Sequence, residues 1–459
     1  MATTKQKKLP KGARKGKGGL MHKSKTAKTE GEIQRSGPLE RLKVYLKVLG
    51  PGLITGAADD DPSGIATYSQ TGAQFGFAQL WTSLYQIPLL LAIQEACARI
   101  GAITGKGLAH VIKENNGKVI AAGVAFLVLI ANTINIGADI GAIAASANLV
   151  VNVPVPILAI LAALMIIGLE VFVGYKKYAN ILKWLGLALL AYPVTALMVH
   201  EPWEQILVAT LIPHVEFSFD FLFIVVGVFG TTISPYMFFW EASQEVEEEI
   251  SLHIIGKEGQ KPVKTRQFLR NLRIDNAIGM VYAEVIQWFI IITTATVLFS
   301  HGIKNIGTAA DAAKALEPFA GSYAKDVFAI GVVGIGLLAI PVLAGSASYA
   351  LSETFGWKEG LYRKLADAKG FYAVIIVATL IGLAMNFAGI NPISALVFTA
   401  VFNGVAAVPL IYIIARINSS KKILGKNKGG ILSRSLVWLT FAVMTIAAIA
   451  MFYTLALPR

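Results

Sequence analysis

Charge is what this chain has least of. Of its 459 residues only 15% are Asp, Glu, Lys or Arg, whereas 55% are hydrophobic and the mean hydropathy is +0.61. A soluble chain carries about a quarter charged residues, so a soluble globular protein is excluded. Cysteine is nearly absent: Cys97 stands alone. That rules out an intramolecular disulfide and a cluster of metal-binding thiolates. Histidine is scarce too, with residues at 22, 110, 200, 214, 253 and 301, none of them midway along an apolar block. There is no catalytic triad, phosphate loop or thiol motif, and an enzyme is not expected. No repeat with a period of 20 to 50 residues occurs, and the polar first 43 residues contain no apolar core of a signal peptide.

What is present is apolar sequence in blocks of roughly 18 to 25 residues, long enough to cross a ~30 Å hydrocarbon layer as helices. Eleven such blocks are centred on residues 44–74, 77–103, 119–149, 154–174, 178–200, 221–244, 274–300, 326–352, 371–389, 392–415 and 434–456. Most are apolar all round, as helices facing lipid or a bundle core must be. The expected class is an all-α polytopic membrane protein whose standing partner is the lipid bilayer. If the N-terminus is cytoplasmic, all but Lys304, Lys314, Lys325 and Arg459 of the 41 Lys and Arg fall on the inner side. The positive-inside rule then places the chain in the cell membrane with the N-terminus in and the C-terminus out. The basic tail, residues 1–43, could touch anionic lipid or RNA; it is read instead as a disordered topology signal. No nucleic-acid partner is expected, and no protein partner is identifiable.

Two spans are broken, and they occupy matching places. Span 1 reads GPGLITGAADDDPSGIATYSQ and span 6 reads VVGVFGTTISPYMFFWEASQ. Each would open a unit of five helices, residues 44–200 and 201–415, with residues 416–459 supplying a loop and an eleventh helix. Paired interrupted helices point to an inverted repeat with a substrate site near the midplane. Proline removes a backbone donor and glycine loosens the helix, so carbonyls are freed, and these can hold a cation where they line a cavity. Asp59, Asp60 and Asp61 lie at the first break with no basic neighbour in sequence. A carboxylate at membrane depth costs several kcal/mol unless it is paired or faces water or an ion. The simplest compensating charge is a transported cation.

At these residues the chain resembles the Nramp family of divalent-metal transporters, and the likeness runs along most of the membrane part. GPGLITGAADDDPSG resembles the family's span-1 segment ending in Asp-Pro-Gly-Asn, ARIGAITGKGLA (98–109) its span-2 exit, and GTTISPYMFF its span-6 break. The resemblance implies a LeuT-type fold, alternating access, and metal uptake usually coupled to protons. It places the metal-binding carboxylate on Asp61 and a carbonyl ligand on Ala58. In span 6 it places a carbonyl ligand on Thr231 and the methionine ligand on Ser234. The motif's Asn becomes Gly64, the histidine after the proline becomes Tyr236, and a span-3 acid linked to proton movement becomes Asp139.

These departures carry the chemistry. A thioether favours transition metals, whereas a hydroxyl is a hard oxygen donor. Losing Asn and Met together leaves a roomier, all-oxygen site. Mg²⁺ keeps several waters and touches one or two carboxylates, which suits Asp61 with Asp60 or Asp59. The altered pattern resembles the Nramp-related magnesium transporters. It implies Mg²⁺ as cargo with Mn²⁺ also carried, and no permanent cofactor. The alternative is a proton-coupled Mn²⁺/Fe²⁺ importer. An amino-acid carrier is disfavoured because Asp61 would repel a substrate carboxylate, and a membrane sensor lacks an output domain.

Other polar residues bear on the path. Asn132, Asn135, Asp139 and Ser146 share one face of span 3, suited either to a cavity wall or to interhelical hydrogen bonds. Glu95 and Arg99 read as a structural i, i+4 pair. Glu284 and Gln287 share a face of span 7, which holds no Lys or Arg, and Glu284 is a candidate for the ion path. EASQEVEEE (241–249) reads as a solvated helix end. Glu201, Glu204, Glu216 and Asp220 form an acidic outer loop. Asn391 and Asn403 are candidates in span 10.

Overall fold

The computed structural model describes residues 56, 58–173, 185–251, 254–256, 258–260 and 266–457. The basic tail and the first half of span 1 lie outside them. Every regular element among the described residues is helical. We label the main helices α1 (Pro62–Phe75), α2 (Trp81–Thr104), α3 (Leu108–Asn116), α4 (Lys118–Asn148), α5 (Val155–Phe172), α6 (Ala191–Met198) and α7 (Trp203–Leu211). There follow α8 (Phe219–Thr232), α9 (Pro235–Ser251), α10 (Arg266–Val297), α11 (Ala324–Phe355), α12 (Lys369–Met385), α13 (Pro392–Ser419) and α14 (Ile431–Ala456). Eight helical stretches are long and apolar enough to cross a membrane, with α8 and α9 forming one of them. Two shorter apolar helices, Leu187–Met198 and Lys369–Met385, and the short α1 fall on the other expected spans.

The apolar helices α5 and α14 leave much of their surface exposed, as helices facing lipid do, whereas α8 and α9 are almost wholly enclosed. The core is built around α4, which packs along α11 and also meets α12 and α13. The half-helices α1 and α8 touch each other and share α13 as a neighbour. Among the contacts so close that only glycine fits are two at the half-helices. A Cβ on Gly230 of α8 would lie 2.1 Å from the Ala400 carbonyl oxygen and 2.3 Å from Gly404 N on α13. One on Gly72 of α1 would lie 2.4 Å from the Ile291 carbonyl oxygen on α10. Small residues allow such backbone approach in membrane bundles, where dispersion rather than the hydrophobic effect joins the helices.

Both sequence breaks are structural breaks. The chain leaves helical geometry at Asp60 and Asp61 and re-enters at Pro62. It leaves again at Ile233 (φ −97°, ψ 59°) and Ser234, and re-enters at Pro235. One expectation fails. The 241–249 segment is not a solvated helix end: Glu241, Glu245 and Glu249 are each buried. Packing of α9 against α2 and α11 encloses it, and Glu241 accepts from Asn276 Nδ2 at 3.0 Å. Glu247 accepts from the Tyr349 hydroxyl and from Leu361 N–H.

Candidate metal centre

The local sequence Asp61-Pro62-Ser63-Gly64 builds its own cradle. Asp61 caps α1 with extended ψ (172°), Pro62 occupies the first turn, and Asp61 Oδ1 accepts from Gly64 N–H at 2.7 Å. Asp is a strong N-cap because its oxygen satisfies a helix N–H left without an intrahelical partner, and Pro is tolerated where no N–H is needed. The Ser63 hydroxyl adds a second bond to Oδ1 at 2.6 Å, and Asn135 Nδ2 of α4 donates to Oδ2 at 2.9 Å. Gly64 therefore brings an N–H toward Asp61 rather than an oxygen ligand. A side chain there would crowd the Tyr68 ring at 3.2 Å and Thr231 Oγ1 at 3.4 Å.

Span 6 meets this cradle from the other side. Ser63 Oγ lies 3.1 Å from Thr231 Oγ1. Ser234 Oγ is within hydrogen-bond reach of two carbonyls freed at the break, Gly230 O at 2.6 Å and Thr231 O at 2.9 Å. The Tyr236 hydroxyl donates to Ala58 O at 3.3 Å. Both backbone oxygens suggested as ligands, Ala58 O and Thr231 O, thus accept from a hydroxyl in this structure. The site is closed: Ala58, Asp59, Asp60, Asp61, Thr231, Ser234 and Tyr236 are each at most 1% exposed. The roomier site expected from the loss of Asn and Met is not open here. A cavity of about 690 Å³ lies beside α1, α8 and α13, lined by Gln70, Gln74, Asp220 and Phe398 among others, and none of the centre's residues lines it.

The polar face of α4 divides its work. Asn132 donates to Leu343 O and Ser346 Oγ, each at 2.8 Å, which is interhelical bonding. Asn135 serves Asp61 and also approaches Asp139 Oδ2 at 3.4 Å. Asp139 is thereby joined to the centre through an amide, a link the sequence did not show.

Asp60 keeps different company. Neither of its carboxylate oxygens has a hydrogen-bond partner, and the side chain is 1% exposed. Glu284 Oε2 accepts from Gln86 Nε2 of α2 at 2.8 Å, and Gln86 Nε2 also reaches Gln287 Oε1 at 2.6 Å and Thr232 Oγ1 at 3.3 Å. Tyr68 OH and Thr232 Oγ1 lie 2.9 Å apart. Sequence reading missed Gln86. A single amide in an apolar helix gives no pattern, and only its apolar surroundings could have flagged it. Asp59 is likewise buried, and neither of its carboxylate oxygens has a hydrogen-bond partner.

Other candidates make no hydrogen bond to these residues. Asn391 caps α13 and donates to Gly307 O at 2.8 Å, away from both breaks. Asn403 is buried without a hydrogen-bond partner. Glu201 accepts from Thr296 at 2.5 Å. Glu95 pairs with Arg99, and its Oε1 also meets Arg273 Nε at 2.8 Å, a structural tie as expected.

Comparison with known proteins fits this geometry. The divalent metal cation transporter MntH of Staphylococcus aureus (strain JH9) is 24% identical over 400 residues, covering 83% of this chain and 85% of that one. The crystal structure of the Eremococcus coleocola manganese transporter, in complex with an aromatic bis-isothiourea substituted compound, superposes with a TM-score of 0.73. It is 17% identical and spans 92% of this chain and 89% of the other. That likeness shows the fold, which is LeuT-type with broken helices 1 and 6. The family described as natural resistance-associated macrophage protein-like, Nramp, matches residues 52–454. The chain belongs to the Nramp family.

Proposed function

We propose that the protein carries Mg²⁺, and also Mn²⁺, across the cell membrane by alternating access, down the electrochemical gradient and without proton cotransport. Family membership and its apolar helices make it an integral membrane divalent-metal transporter. The names of the relatives, a divalent metal cation transporter and a manganese transporter, support Mn²⁺ as one cargo. The preference for Mg²⁺ rests on one observation: every group that meets Asp61 or the freed carbonyls of Ala58 and Thr231 is a hydroxyl, an amide or a backbone N–H. With Ser234 and Tyr236 at these carbonyls, neither thioether nor imidazole is offered, and hard oxygen donors suit Mg²⁺. In this reading Asp61 supplies the charge. Ala58 O, Thr231 O and the Ser234 hydroxyl supply neutral oxygens once the capping hydroxyls rotate, and Gly64 N–H and Asn135 hold the carboxylate in place. Asp60 supplies a second negative charge nearby.

A competing reading, proton-coupled Mn²⁺/Fe²⁺ import, draws on the Asn135 link between Asp61 and Asp139. An amide nitrogen donates to both carboxylates but accepts from neither, so the link positions them without passing a proton. The driving force for uncoupled entry is ample, because a divalent ion gains about 4.6 kcal/mol per 100 mV of inward-negative potential. The test is uptake into liposomes that contain only this protein and a trapped pH dye. Mg²⁺ entry without acidification is expected. Acidification that tracks Mg²⁺ entry and vanishes in Asp139→Asn would overturn the uncoupled reading, and uptake of Mn²⁺ but not Mg²⁺ would overturn the preference.

A further inference from the structure

The half-helix after the second break, α9, meets its two neighbours in different ways. Against α2 the backbones touch: a Cβ on Gly101 would lie 2.2 Å from the Ala242 carbonyl oxygen. Against α11 the hydrogen bonds run through side chains, in antiparallel register. Ser243 Oγ donates to Glu353 Oε1 at 2.9 Å. One turn further along α9, Glu247 accepts from the hydroxyl of Tyr349, one turn earlier on α11. Trp240 continues the row, edge-on to the Tyr349 ring at 6.3 Å. Glu353 has a second task, because its Oε2 accepts from His110 N–H at 3.0 Å. That bond caps α3, whose own N-cap, Gly107, has no side chain to offer. Ser243, Tyr349 and Glu353 are each at most 3% exposed. The seam nonetheless keeps a cavity of about 20 Å³, lined by Ser243, Val246, Glu247, Tyr349, Glu353 and Glu359 among others. Glu359 Oε2 is buried without a partner. There is room for one water among polar groups.

We propose that the α9–α11 seam is the cytosolic gate of the transport path, with Glu353 as its latch. The ion leaves when α9 parts from α11, and Ser243 and Glu247 give up their partners. The proposal rests on the alternating-access reading above. The seam follows the second break directly, on the side that the Lys and Arg distribution assigns to the cytoplasm. Opening it costs little. Each bond across it is exchanged for one to water, so its net worth is small, and the cavity already has room for water. The contact of Gly101 with Ala242 has no such exchange, since parting the backbones there would forfeit packing on both sides. Hence α9 stays with α2. In turn α11 stays with α4, along which it packs, and α3 stays with them through its cap. Opening therefore separates Glu353 from Ser243 but not from His110. The parted seam lines the exit with Glu247, Glu353 and Glu359. Among the described residues no three acids converge as a ligand set, so a cation passes these carboxylates without being held.

The experiment places a thiol in the seam and times its reaction. Val246→Cys, in the full chain in lipid nanodiscs, is treated with a polar maleimide; the parent's one cysteine, Cys97, is buried and serves as the blank. Adding Ser243→Ala or Tyr349→Phe should each speed labelling by about fivefold, the shift expected for one lost net hydrogen bond. Labelling no faster in either variant would overturn the gate, and a lowered melting temperature alongside it would make the bonds purely structural. A second measurement bridges the seam. Ser243→Cys with Glu353→Cys, joined by a short bis-methanethiosulfonate, should stop Mn²⁺ uptake into liposomes until a reductant cleaves the bridge. Uptake that continues through the bridge would also overturn the gate. Should the bridged pair carry no Mn²⁺ even when reduced, the labelling rates decide. A parent that carries neither Mn²⁺ nor Mg²⁺ would refute the transport reading, whereas the labelling rates test the seam alone.

Discussion

The two carboxylates on either side of the Asp60–Asp61 bond have opposite circumstances. Asp61 receives three hydrogen bonds, from Gly64 N–H, Ser63 Oγ and Asn135 Nδ2. Asp60 receives none. The difference comes from the helix break. Asp61 is the N-cap of α1, so the chain that follows supplies donors to it, whereas Asp60 precedes the cap and accepts from none of them. A cap holds its carboxylate in one geometry whether or not an ion is present. A carboxylate without donors depends on whatever arrives. One carboxylate is held in place by the chain itself, and the other is not.

The comparison breaks most sharply at Asp61. Asp61→Ala should lower uptake by about 100-fold or more, because removing a buried charge partner typically costs about 3 kcal/mol or more. Liposome uptake of Mg²⁺ at near the parent rate would show the cap to be purely structural. Asp60→Ala and Asp59→Ala should reduce uptake less. Ser234→Met should come next. A thioether beside Thr231 O would shift competition by Cd²⁺ or Mn²⁺ against Mg²⁺ by roughly tenfold, about 1.4 kcal/mol. Unchanged competition curves would mean that Ser234 does not face the ion.

Asn135→Ala sharpens the contrast by making Asp61 resemble Asp60. Leaving Oδ2 without its donor costs about 1–3 kcal/mol. The metal-free protein should melt lower, and Mg²⁺ should restore more stability than it adds to the parent; an equal Mg²⁺ response in both would argue that Oδ2 does not face the ion. The smallest effect belongs to an acidic cluster that does have a cation. Outside the spans, His110 lies 3.5 Å from Glu258 and 3.4 Å from Glu114. Its hydrogen bond to Glu258, opposed in part by burial, holds its pKa above the ordinary imidazole value. A raised folded pKa gives stability that is present below the unfolded value and lost as pH rises through the folded one. His110→Gln should therefore lower the melting temperature slightly near pH 6 and leave it unchanged near pH 9. An equal loss at both would place the effect in packing.

Much of this was legible from apolar block length and from Asp-Pro-Ser-Gly, since both depend on local chemistry. Eleven blocks announce helices because a bilayer leaves few other options, and proline and glycine beside the three aspartates announce a break in span 1. What long-range packing decides was not legible. EVEEE reads as solvated because four acids in five residues usually are, yet α2 and α11 close over the segment. Asn132 and Asn135 share a face and a residue type, and only the position of α1 separates an interhelical tie from a ligand's support. Gln86 gives no periodic signal at all.

The glycine crossings determine what can move. Gly230 and Gly404 bring α8 and α13 to backbone contact, and Gly72 does the same for α1 and α10. Parting either pair would open a gap that no side chain is there to fill, so each pair is expected to move as one beam. Flexure is left to the places already outside helical geometry, at 60–61 and 233–234. They include Asp60, Asp61 and Ser234, three of the residues that would hold the ion in the proposed reading. The joint of the machine and the grip on its cargo are then the same few peptide units, and loading the cargo stiffens the joint. A methyl group at Gly230 should jam the beam, slowing turnover more than it weakens ion binding. Equal losses in both would show that α8 slides on α13.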